Sequence, residues 1–162
     1  MTSTVLKDRS ARWPAATPFA AAGAACTVAG GLLAAATALA PSQLASWAVA
    51  YLVLVGGVAQ VALGVGQALL SPRPQDRRLL VAVELAGWNA GNGAVLAGTL
   101  LGANWLADAG GLALAAALAL LIVATRSASP QRAWALHLYR ALAALVLVSI
   151  PTGLIIAALR PH

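Results

Sequence analysis

Five long apolar runs, at residues 15–40, 44–70, 79–101, 105–125 and 133–159, take up most of the 162-residue chain, and only short polar breaks separate them. About 20 residues at ~1.5 Å rise cross a ~30 Å hydrocarbon core, so each run is long enough to span a bilayer. None of the runs alternates polar and apolar residues with period two, as the strands of a membrane barrel do. Backbone N–H and C=O groups must then be satisfied within each segment, which leaves the α-helix. The expected fold is all-α: a polytopic transmembrane bundle of five spans over residues 15–160, preceded by a cytoplasmic tail at 1–14.

Composition points to the same solvent. Hydrophobic residues make up 61% of the chain and charged residues 9%, whereas soluble domains carry about a quarter charged residues. A soluble domain of this length would leave much of that apolar surface in water.

The breaks between runs set the expected orientation. Pro41-Ser42-Gln43 and Gly102-Ala103-Asn104 read as tight, uncharged turns, while 71–78 and 126–132 are longer, basic and proline-bearing. Eight of the ten Lys and Arg residues lie in the tail and these two basic loops. Arg140 lies a short way into the fifth run, and Arg160 is at its far end. By the positive-inside rule the N-terminus is cytoplasmic and the C-terminus outside, in a multi-pass arrangement in the cell membrane. Trp13 and Trp134 fall at the inner boundary and Trp47, Tyr51 and Trp105 at the outer one, where amphipathic rings settle. Thr37-Ala38-Leu39-Ala40 resembles a signal-peptidase site, but the 26-residue apolar run before Pro41 is longer than the roughly 7–15 residues of a usual signal core, so an uncleaved span is expected.

The net charge of +6 raises the question of nucleic acid. The basic residues punctuate the spans, without the interleaved aromatic residues of a stacking platform, so no nucleic-acid partner is expected. A single cysteine, Cys26, rules out an intrachain disulfide and a multi-cysteine metal site. No Cys-x-x-Cys, His-Glu-x-x-His, Gly-x-Ser-x-Gly or phosphate-binding glycine loop occurs. His137 and His162 are placed at opposite faces, so one chain offers no two-histidine haem site. No cofactor, metal or catalytic residue is expected.

The polar residues inside the spans are the informative exceptions, because each costs free energy in hydrocarbon unless it has a partner or a task. The densest cluster is Glu84-Leu-Ala-Gly-Trp-Asn-Ala-Gly-Asn-Gly93. On a helical wheel Glu84, Gly87, Gly91, Ala94, Gly98 and Gly102 share one side, flanked by Trp88, Asn92 and Thr99, with Asn89 further round. Such a glycine face lets helices approach closely in lipid and puts the third span at the centre of the bundle. Counted from the outer ends at ~1.5 Å per residue, Asn92 is ~15 Å deep, Trp88 ~21 Å, Gln60 ~24 Å, Glu84 ~27 Å and Arg140 ~30 Å. Gln60, Asn89 and Asn92 then form a carboxamide layer able to hydrogen-bond across helices. Glu84 pairs with Arg140 or reaches the headgroups, with His137 just below.

The function expected from this pattern is non-enzymatic: binding or passing a small solute or proton along a polar strip of Gln60, Glu84, Trp88, Asn89 and Asn92, with His137 and Arg140 at its inner end. One alternative is an accessory or assembly subunit of a larger membrane complex. A weaker one is a lipid-handling enzyme whose Glu84, His137 and Arg140 hold a lipid phosphate. Besides the bilayer, the expected partner is a second copy of the chain or another membrane protein, since five spans do not form an even inverted repeat. The orientation has a direct check. With Cys26 replaced, single cysteines in 71–78 and 126–132 should resist an impermeant thiol reagent in intact cells while Ser42→Cys labels; outside labelling of both basic loops reverses the topology.

Overall fold

The computed structural model describes residues 13–70 and 78–124, together with 134, 136, 137, 139–141, 143 and 144. Helix α1 is Trp13–Thr37, α2 is Gln43–Leu70, α3 is Arg78–Leu101 and α4 is Asn104–Ala124. The described positions from 134 to 144 are also helical, and no strand occurs among the described residues. Four stretches are long and apolar enough to cross a membrane: Ala16–Thr37, Gln43–Leu70, Leu79–Leu101 and Asn104–Val123. They match the first four expected spans to within a few residues. Most of the fifth, 133–159, lies outside the described residues, as do residues 1–12, 71–77 and 125–133.

Both uncharged breaks form tight turns, each by its own chemistry. Ser42 caps α2 from extended backbone (φ −121°, ψ 154°), its hydroxyl accepting from the Ala45 amide at 3.1 Å. At the other turn Gly102 adopts φ +66°, which a side chain disfavours. Its neighbour Ala103 donates to Gly98 O at 2.8 Å and Gly102 itself to Thr99 O at 3.5 Å. This is the paired six-to-one, five-to-two closure of a glycine-terminated helix.

Helix α2 changes winding midway. Leu52–Ala59 is π-helical, followed by an α-helical Gln60–Leu70. The segment LVLVGGVA joins β-branched residues to Gly56-Gly57, so the α-helix is intrinsically weak there. The winding ends on Gln60, whose backbone N–H donates to Gly57 O.

The most extensive packing lies within two hairpins, α1 with α2 and α3 with α4. Each closes through facing glycines. Across α1 and α2, a Cβ on Gly23 would lie 2.6 Å from Val61 Cγ2 and 2.9 Å from Gly57 O. Gly64 receives the Phe19 ring so closely that a Cβ there would overlap it. Across α3 and α4, a Cβ on Gly91 would lie 2.9 Å from Leu114 Cγ and 3.0 Å from Gly110 O, and one on Gly110 would lie 2.7 Å from Gly91 O. At Gly98 an added Cβ would overlap the Ala107 amide nitrogen.

The glycine face of α3 is therefore a contact face, as its spacing predicts, but α4 alone takes up Gly91 and Gly98. Among the described helices α3 also touches α1 and α2, with its most extensive contact to α4. Short turns hold sequential helices side by side, and backbone approach is a pairwise contact. The hairpins meet through a cluster that includes Phe19, Leu63, Leu70, Trp88, Leu114, Leu118, Leu121 and Tyr139. Outward positions carry large apolar residues such as Leu32, Leu54, Leu79 and Leu112. Trp105, at the start of α4, is 73% exposed, and Trp134 is 74% exposed.

Two glycines of α3 provide a paired test. Gly98→Ala forces a methyl into the α4 backbone and should destabilise the protein by about 1–3 kcal/mol. Gly93, with nothing within 4 Å of an added Cβ, should tolerate alanine or gain up to ~1 kcal/mol from helix propensity. Thermal unfolding in detergent measures both; equal tolerance contradicts the backbone contact.

Candidate functional site

Two groups stand out among the polar residues of the spans. Thr27, Thr37, Asn89, Asn92 and Thr99 turn back onto their own helices. Each donates to the carbonyl four residues earlier, at 2.8–3.0 Å. These bonds satisfy a short polar side chain locally, without a neighbouring helix. Asn89 is only half-buried. The expected carboxamide layer does not form as a set of interhelical bonds, because the backbone carbonyl one turn back is always within reach.

The second group is buried on α2 and α3. Gln67 Nε2 donates to Glu84 Oε2 in a buried bond from α2 to α3. Glu84, Gln60 and Trp88 expose nothing, and Asn92 exposes 8%. Glu84 is thus deep in protein rather than reaching for headgroups. Arg140 and His137 are both exposed. Tyr139, between them, is buried and within electrostatic range of Glu84. Its ring fills a notch at Gly66, where a Cβ would overlap it.

Helical geometry relates these residues to the seam between α2 and α3 that the Gln67–Glu84 bond crosses. Gln60 and Gln67 are seven residues apart, about 20° short of two full turns, so they line one face of α2. Glu84, Trp88 and Asn92 follow at four-residue steps along α3. The seven residues between α2 and α3 reach at most ~25 Å, too short to recross either helix, so α2 and α3 run antiparallel. With Gln67 bonded to Glu84, counting away from that bond puts Gln60 ~10 Å, Trp88 ~6 Å and Asn92 ~12 Å further along the seam.

Several buried atoms of this strip have no hydrogen-bond partner: Gln60 Nε2 and Oε1, Trp88 Nε1, Asn92 Oδ1 and the Tyr139 hydroxyl. Native interiors leave few such groups, and a stranded one costs about 1–3 kcal/mol, so their concentration along one seam marks a place built for polar contact. Beside the strip, an apolar groove of about 600 Å³ is lined by Thr27, Gly57, Val61, Gly66, Trp134 and Tyr139 among others. Among the described residues no three His, Cys, Asp or Glu side chains gather as metal ligands do. No known protein family matches the chain, nor does any curated protein or solved structure.

The sequence places Gln60, Glu84, Trp88 and Asn92 in one strip; in the structure all four are buried, three at four-residue steps on α3 and Gln60 on α2, seven residues from the Gln67 that bonds Glu84. The structure leaves Asn89 at the margin and His137 and Arg140 outside. Gln67 and Tyr139 were missed. The heptad spacing from Gln60 was the available signal for Gln67. Tyr139, about 200° round the helix from His137, was overshadowed by its charged neighbours.

A double-mutant cycle tests the seam bond. Gln67→Leu and Glu84→Leu should couple by about 0.6–2 kcal/mol in detergent stability, the range for intramembrane hydrogen bonds. Glu84→Leu with Arg140→Gln should be additive; stronger coupling to Arg140 than to Gln67 would contradict the assignment.

Proposed function

We propose that this chain is a non-enzymatic, multi-pass protein of a cell membrane that binds or passes a small solute or proton along the strip formed by Gln60, Gln67, Glu84, Trp88 and Asn92. In this reading the chain crosses five times, with a cytoplasmic N-terminus and an external C-terminus. One observation carries the proposal: buried hydrogen-bonding atoms of Gln60 on α2 and of Trp88 and Asn92 on α3 lack protein partners. A bundle held by packing alone has no use for Gln60 or the Trp88 indole N–H there, since leucine and phenylalanine fill the same space without the desolvation penalty.

Glu84 is the acid of the strip, and the Gln67 amide fixes the orientation of its carboxyl group. Glutamine at position 84 keeps an oxygen that can accept from Gln67 but cannot exchange a proton. Glu84→Gln in reconstituted vesicles should therefore abolish pH-dependent uptake while leaving thermal stability near wild type.

The second reading, an accessory subunit or homo-oligomer, is favoured by a different face of α3. Ala82, Ala86, Ala90 and Gly93 form an exposed stripe of small residues, of the kind that lets another transmembrane helix approach. Absence of flux in wild type and Glu84→Gln alike, with a membrane partner retained through mild-detergent purification, favours that reading instead.

A further inference from the structure

Resting on the strip proposed above, we infer that its binding chemistry selects a small uncharged molecule carrying both hydrogen-bond donors and acceptors, from water to urea in size, at the level of Gln60, Trp88 and Asn92. The unpartnered groups offer both halves of the exchange. Gln60 Nε2 and Trp88 Nε1 donate; Gln60 Oε1 and Asn92 Oδ1 accept. Three side chains from facing helices, each more than nine-tenths buried, lie within ~6 Å of one another along the seam axis.

Charge argues against an ion at this level. An anion needs a cationic partner in such a dry setting; the arginine nearest in sequence to Trp88 and Asn92, Arg78, begins α3 ~15 Å along the axis from Trp88, and Arg140 is exposed. A desolvated cation needs carboxylates or a cage of free carbonyls. Glu84 is about two turns away from Gln60 and Asn92 and accepts from Gln67, and the helix carbonyls are engaged in their own ladders. Uncharged donor–acceptor groups match an uncharged donor–acceptor ligand, and a buried water typically makes two to four such bonds.

The winding of α2 supports the same position independently. Its π-helical stretch ends at Gln60, and π-helical turns are rare and concentrate at functional sites. A register change there decides which way the Gln60 side chain faces.

Two measurements test the inference on the full chain. In proteoliposomes, stopped-flow light scattering should show water or urea permeability above that of empty vesicles and insensitive to imposed potential. Gln60→Leu should reduce it at least tenfold in protein that remains folded. In detergent, the Trp88 indole N–H resonance, identified by its loss in Trp88→Phe, should exchange with deuterium within minutes and shift on adding millimolar urea. A protected indole N–H that urea does not move, together with unchanged permeability and a raised melting temperature in Gln60→Leu, would mean that the level is dry and overturn the inference. Proton or potassium flux that follows the potential, without water or urea permeability, would overturn the uncharged class while leaving the strip as a pathway. Absence of every flux, with a protected indole, would overturn both.

Discussion

Helices in hydrocarbon gain little by burying apolar side chains against each other, because lipid tails are as apolar as leucine. What remains is dispersion at short range, and short range requires that nothing stand between the backbones. This chain meets that condition twice. Gly23 faces Gly57 across one hairpin, and Gly91 faces Gly110 across the other. The two tight turns hold these pairs in register, Ser42 by capping α2 and Gly102 by adopting a backbone conformation that closes α3.

The glycines also seat bulky groups, Phe19 on Gly64 in one hairpin and Leu114 on Gly91 in the other. Both join Trp88 and Leu63 in one buried cluster, and the Gln67–Glu84 bond crosses from α2 to α3. A carboxyl group at this depth is costly unless its oxygens are engaged. Gln67 supplies a donor without bringing a second charge, which avoids the larger desolvation cost of an ion pair.

The polar groups follow two rules with different consequences for function. Threonines and asparagines have short side chains that reach the carbonyl one turn back, and those bonds consume their donors. Glutamine and tryptophan are too long or too rigid for that local closure. Gln60 and Trp88 therefore keep their hydrogen-bonding capacity in the protein interior. The candidate site consists of the polar side chains that the helix itself does not satisfy, with the Asn92 carbonyl as a remainder after its amide has bonded to Trp88 O.

Much of this was legible in the sequence. The four described spans, both tight turns and the contact role of Gly91 and Gly98 follow from run length, capping chemistry and small-residue spacing, all local properties. The periodicity of Glu84, Trp88 and Asn92 likewise marked one face of α3 before any neighbour was known. Tertiary structure decided which helix meets which face: α4 occupies the glycines of α3, Gln67 binds Glu84, and Tyr139 turns inward while His137 and Arg140 are exposed. Those outcomes depend on the rotation of each helix about its axis and on a π-helical stretch that shifts the register of α2. A hydropathy pattern fixes that a helix spans, and roughly how deep each residue lies. Azimuth is set only when the helices pack, because in lipid every apolar direction is energetically alike until a glycine or a hydrogen bond distinguishes one.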